Sequence, residues 1–195
     1  MAVAEEPPLL EQAAPKPPKK GIAVVLPVPA KDAKALALPG EVPASKLHVT
    51  LAWLGEGPFS EAEVKAVVKV VARWAEGLAP IPALVGGIGR FPGSDADGDP
   101  IYLPVDAPRL REREALLRAL REHGTPSKSQ HGFNAHVTLA YRKADEDLPT
   151  QRVAPREVWF DRVEIWWGMR KFPVKLTADY DTPEKADRAP PKPGA

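Results

Sequence analysis

The sequence contains no cysteine, and only two methionines, three tyrosines and four histidines among its 195 residues. Lack of cysteine excludes disulfides, thiol nucleophiles and thiolate metal ligands, so any chemistry falls to His, carboxylates, hydroxyls or Lys. No apolar run approaches the roughly 20 residues of a membrane helix. The first ten residues, MAVAEEPPLL, hold no basic segment ahead of an apolar one, which predicts a chain without span or leader, working in the cytoplasm. An excess of one charge is missing too, since 27 Lys and Arg against 26 Asp and Glu leave a formal net charge of +1. That balance argues against a protein that tracks an extended duplex through many phosphate contacts. A small ligand or the end of a nucleic acid remains.

Proline, by contrast, is plentiful, with 24 residues concentrated toward both ends. Residues 1–20 and 182–195 have the composition of solvated, extended tails, and residues 21–181 form the expected folded domain. Within it, Gly21 to Pro27 reads as a first strand. Over 60–77, Glu61, Lys65, Lys69 and Arg73 share one helical face, with Val64, Val67, Val68, Val71 and Trp74 opposite. Ser60 and Glu63 start that helix as a capping box and Gly77 ends it. A second helix is expected from Pro108 to His123, closed by Gly124. Strands are expected over Ala83–Ile88, Ile101–Val105, Ala135–Tyr141, Val158–Trp167 and Phe172–Leu176. Without regular β-α-β alternation, this mixture predicts an α+β fold.

One segment occurs twice. His48-Val49-Thr50-Leu51-Ala52 and His136-Val137-Thr138-Leu139-Ala140 are the same five residues, 88 positions apart, and they use two of the four histidines. Such a duplication implies two related halves facing each other. On a strand, strict alternation would put His48, Thr50 and Ala52 on one face and Val49, Leu51 and Trp53 on the other, with the second copy disposed alike. Two imidazoles from two such strands can divide phosphoester chemistry, one neutral as general base and one protonated as general acid. The Thr50 and Thr138 hydroxyls are then placed to bind non-bridging phosphate oxygens.

The stretches Leu47 to Gly55 and Gly132 to Tyr141 resemble the two motifs of the 2H phosphoesterases, and in particular their bacterial and phage 2′-5′ RNA ligase-like or cyclic phosphodiesterase branch. The resemblance implies a bilobal fold of two antiparallel sheets with pseudo-two-fold symmetry around a central cleft, with helices outside. It implies His48 and His136 as the acid–base pair, Thr50 and Thr138 as phosphate ligands, and no metal or other cofactor. The implied substrate is a 2′,3′-cyclic phosphate or 2′-5′ phosphodiester of a nucleotide or RNA end. Two departures bear on substrate choice: Ala135 stands where many relatives have proline, and Tyr141 where a subset has arginine. By alternation Arg142 would share the face of His136 and reach phosphate.

Other residues invite functional readings. Phe91, leaving a strand beside glycines, is a candidate for stacking on a base; Trp166 and Trp167 are assigned to core packing, and Arg90 and Lys128 to the solvated surface. His123 sits at a helix C-terminus, where a cation is favoured, and His131 is read as structural. A zinc site is disfavoured, because HExxH, His-x-His and Cys are all lacking. Ser94 to Pro100 lacks the glycine an EF-hand requires and reads as an acidic hairpin connection. The alternative to an enzyme is a nucleotide-binding or virion-associated protein that docks a partner through its proline-rich tails.

Overall fold

A computed structural model describes residues 21–92, 98–128, 132–149 and 153–178. The apolar run after Gly21 is strand β1 (Ile22–Pro27), stopped by its proline. A short helix that the sequence reading does not foresee, α1 (Ala30–Leu36), follows Pro29 and leads by a 3₁₀ turn (Ala44–Lys46) to β2 (His48–Gly55). Helix α2 (Glu61–Glu76) carries the expected reciprocal Ser60–Glu63 cap and buries Val64, Val67, Val71 and Ala75. At roughly 1.5–3 kcal/mol for each fully buried valine, that stripe outweighs the strand propensity of its residues. The chain then forms β3 (Ile81–Val85), β4 (Gly89–Arg90) and β5 (Asp99–Asp106). The second expected helix begins as a 3₁₀ turn (Pro108–Glu112) before becoming α3 (Arg113–Glu122), with His123 as its C-cap. Strands β6 (His136–Arg142), β7 (Arg156–Phe160), β8 (Arg162–Trp167) and β9 (Arg170–Lys175) complete the fold.

The strands form two antiparallel sheets. One has the order β2-β1-β8-β9. In the other, β5 lies at the centre: Val105 N–H donates to the Ala135 carbonyl on the β6 flank, whereas Gly86 and Phe91 donate to the carbonyls of Pro104 and Pro100. Alternate carbonyls point to opposite sides of a strand, so β3 and β4 lie on the flank away from β6, and β7 pairs outside β3. The expected single strand Val158–Trp167 is thus two strands in different sheets, parted at Asp161. Among the described residues no helix is long and apolar enough to cross a membrane. Both proline-rich segments, His131 and most of the acidic Ser94–Pro100 connection lie outside the described residues.

The duplicated pentapeptide is duplicated in register as well. His48, Val49, Thr50 and Ala52 pair with Pro27, Leu26, Val25 and Val24, and His136, Val137, Thr138 and Ala140 pair with Pro104, Leu103, Tyr102 and Ile101. In each copy the ladder skips the leucine, a β-bulge that advances the facing phase by one residue. The alanines therefore do not floor a cleft as strict alternation predicts: Ala52 and Ala140 are each 1% exposed, whereas Trp53 and Tyr141 stand 37% and 51% exposed. Both bulge carbonyls are satisfied from across the molecule, Leu51 by Arg113 Nε at 2.6 Å and Leu139 by Val42 N–H at 3.0 Å. Each donor belongs to the helical connection that links β1 to β2 or β5 to β6, so the two halves lock reciprocally.

Candidate active site

His48 and His136 head the edge strands of the two sheets, and these strands, β2 and β6, pack against each other. The Nδ1 of His48 lies 2.7 Å from the Lys46 carbonyl, and that of His136 lies 2.6 Å from the Asn134 carbonyl. A carbonyl only accepts, so each Nδ1 carries hydrogen and each Nε2 is left for proton exchange. The matching contact two residues upstream in both copies fixes the same ring orientation twice. Thr50 and Thr138 are half-buried on the faces of His48 and His136, before the bulge, and neither hydroxyl has a partner among the described residues.

Register also reveals a relation that the linear sequence hides. Thr50 pairs with Val25, Val25 with Glu164, and Ala23 with Trp166. In the other sheet Thr138 pairs with Tyr102, Tyr102 with Gly89, and Phe91 hydrogen-bonds to Pro100. Trp166 and Phe91 are therefore equivalent, and each meets its own histidine: ring centres are 4.5 Å apart for His48–Trp166 and 4.9 Å for His136–Phe91. The halves differ at the next pair. Glu164, 8% exposed, accepts from Trp166 Nε1 at 2.7 Å and Arg162 Nε at 3.0 Å. Its counterpart is Gly89, whose missing side chain leaves room for the Tyr102 ring, stacked 4.0 Å from Phe91 and 5.5 Å from His136.

These surroundings act on the His48 imidazole. Burial pushes His48 below its ordinary value of 6.5; its bond to Lys46 opposes that, the His136 and Lys171 charges add to it, and Glu164 opposes it. His48 therefore favours the neutral form near pH 7.

Phe91 lies beside His136, with its ring also stacked on Tyr102. Arg142 does not: past the bulge it falls out of phase with His136, and its guanidinium is ion-paired with Glu41. Arg90 is likewise engaged, donating to the carbonyls of Ala144 and Glu146. Trp166 proves to be a site wall rather than core filling, and Glu164, Tyr102 and Lys171 join the site without any sequence signal. Their place depends on pairing between distant strands, which no local pattern records. Among the described residues no group of three or more His, Asp or Glu is arranged to hold a metal ion.

Known structures share this fold at low identity. TT0787 of Thermus thermophilus superposes with a TM-score of 0.56 at 23% identity, over 81% of this chain and all (100%) of that one. E. coli LigT, solved with 3′-AMP, superposes with a TM-score of 0.61 at 20% identity, over 80% of this chain and 96% of its own. A protein described as a phosphoesterase gives 0.60 at 19% identity, over 82% and 96%. No curated protein matches significantly in sequence. The sequence model of the 2′-5′ RNA ligase superfamily matches residues 24–171, which takes in both copies of the pentapeptide and most of both sheets. With that span, the chain belongs to the 2′-5′ RNA ligase superfamily, the 2H phosphoesterases.

Proposed function

We propose that the chain is a metal-independent phosphodiesterase or ligase-like enzyme acting on a 2′,3′-cyclic phosphate or 2′-5′ phosphodiester of a nucleotide or RNA end. The observation that carries this reading is the pair of imidazoles with Nδ1 committed to equivalent carbonyls, from strands in contact. In hydrolysis of a cyclic phosphate, water forms the new P–O bond as the bond to one ribose oxygen breaks. Neutral Nε2 of His48 takes the proton from water, and protonated His136 gives one to the departing oxygen. Solvent exchange then restores both rings. The depressed His48 titration supports giving it the base role in this direction; the roles are the same for ligation, where a 5′-hydroxyl replaces water, and reverse for cleavage of a 2′-5′ linkage to the cyclic phosphate. Thr50 and Thr138 donate to the non-bridging oxygens, where charge builds as phosphorus becomes five-coordinate. E. coli LigT has been solved with 3′-AMP and with phosphate, which supports a nucleotide phosphate as occupant.

The test is turnover of 2′,3′-cyclic nucleotides, cyclic-ended RNA and 2′-5′ dinucleotides, with product analysis. His48→Ala and His136→Ala should each lower kcat by roughly 10²- to 10⁴-fold, the double variant should lose less than the product of the two, and wild-type activity should persist in EDTA. Wild-type turnover carried undiminished by His48→Ala would remove the proposal.

A further inference from the structure

Resting on that reading, we infer that Lys171 forms a second phosphate subsite, which selects substrates carrying another phosphate on the 5′ side of the reacting nucleotide. Lys171 pairs with Trp166 across β8 and β9, and partners in an antiparallel register share a face. That is the face of Glu164, Thr50 and His48, joined through Val25 and Pro27. Its Nζ lies 4.2 Å from the centre of the Trp166 ring, the ring that packs on His48, and donates to the Ser45 carbonyl at 3.3 Å. Ser45 lies in the turn just before His48, so the ammonium is drawn back over the rim of the site. Its charge is felt at the imidazole. It is exposed, and its partners are one ring and one carbonyl, neither of which neutralises it. The carboxylate of Glu164, on the same face, is already engaged by Arg162 and Trp166.

Symmetry says which phosphate this cation serves. The scissile phosphorus lies between paired elements, His48 with His136 and Thr50 with Thr138, and thus on the pseudo-two-fold. Lys171 has no mate. Trp166 is flanked by β9, whereas its equivalent Phe91 follows the end of β4 and has no strand outside it among the described residues. A lone cation off the axis matches an off-axis charge. In RNA ending in a 2′,3′-cyclic phosphate the only other phosphates lie on the 5′ side, so a 5′-phosphorylated cyclic nucleotide or a longer strand supplies the group and a bare cyclic nucleoside does not.

The experiment compares full-length wild type with Lys171→Gln on three substrates: a 2′,3′-cyclic nucleotide, the same compound with a 5′-phosphate, and a dinucleotide ending in a cyclic phosphate. Assays run above the acid limb of the pH profile, so that a change in His48 titration does not enter. The expected result is a loss in kcat/KM about tenfold larger for the two substrates with a second phosphate than for the bare one. That loss should lie in KM and shrink with added salt, and Lys171→Arg should restore it. Equal losses on all three would make Lys171 a ligand of the scissile group, and no loss would make it a surface residue; either overturns the subsite. Failure of the wild type to turn over any of the three counts against the proposed function instead.

Discussion

The two histidines are equal in sequence and unequal in surroundings, and that inequality is measurable. His48 is packed against Trp166 with Lys171 over the far partner of the pair, and burial lowers its proton affinity. A base must be neutral to act, so a depressed value extends activity toward acid: the acid limb of kcat/KM governed by His48 should lie below pH 6.5. An NMR titration of the His48 ring should show the same midpoint below 6.5, rising in Lys171→Gln as one repulsive charge is removed. A midpoint at or above 6.5 in the wild type would return the assignment of base and acid to an open question. Both histidines and both threonines are legible because His-Val-Thr-Leu-Ala is contiguous and repeated. Lys171 and Glu164 are not, since each joins the site through two or three strand pairings.

At the scale of elements, the sequence pattern locates most strands and both long helices, and its misses have physical causes. Helix α1 (AKDAKAL) is seven residues, too short to show helical periodicity. Val158 to Trp167 is continuously strand-like in composition, and only the path of the chain divides it between sheets at Asp161. The bulges at Leu51 and Leu139 are invisible to any rule of period two, and they exchange alanine for Trp53 or Tyr141 on the exposed face. A steric exchange marks the difference between halves: Val25 with Glu164 in one sheet corresponds to Tyr102 with Gly89 in the other. A Cβ on Gly89 would lie 2.6 Å from Tyr102 Cζ, in a ring stacked on Phe91 and edge-on to His136. Gly89→Ala should cost about 1–3 kcal/mol by overpacking, and Tyr102→Ala should relieve most of that cost in a double-mutant cycle. Denaturant unfolding of the four proteins checks it, and an additive cycle would show that the ring does not occupy the glycine's space.

For the molecule as a whole, the proposed acid–base catalysis by two lobes requires that neither drift, because a displacement of about 1 Å between reacting groups can cost two orders of magnitude in rate. The ties are reciprocal. From the first helical connection, Asp32 faces Arg156 at 3.6 Å, Glu41 pairs with Arg142, and Val42 binds the Leu139 carbonyl. From the second, Arg113 holds the Leu51 carbonyl, and Lys128 N–H donates to that of Trp53 at 2.6 Å. Arg113 is the critical member: it is 8% exposed, its guanidinium carries the Phe133 ring at 4.1 Å, and burial lowers its proton affinity. Arg113→Met keeps the length and apolar stem but removes the donor, leaving a buried carbonyl in the strand that bears His48. We expect a loss of about 1–3 kcal/mol in unfolding free energy, and a fall in kcat beyond what any residual unfolding explains, measured well below the new midpoint. Stability lost with kcat intact would mean that the β2–β6 packing alone sets the distance between the imidazoles, and that the crossed connections brace the fold without aligning its chemistry.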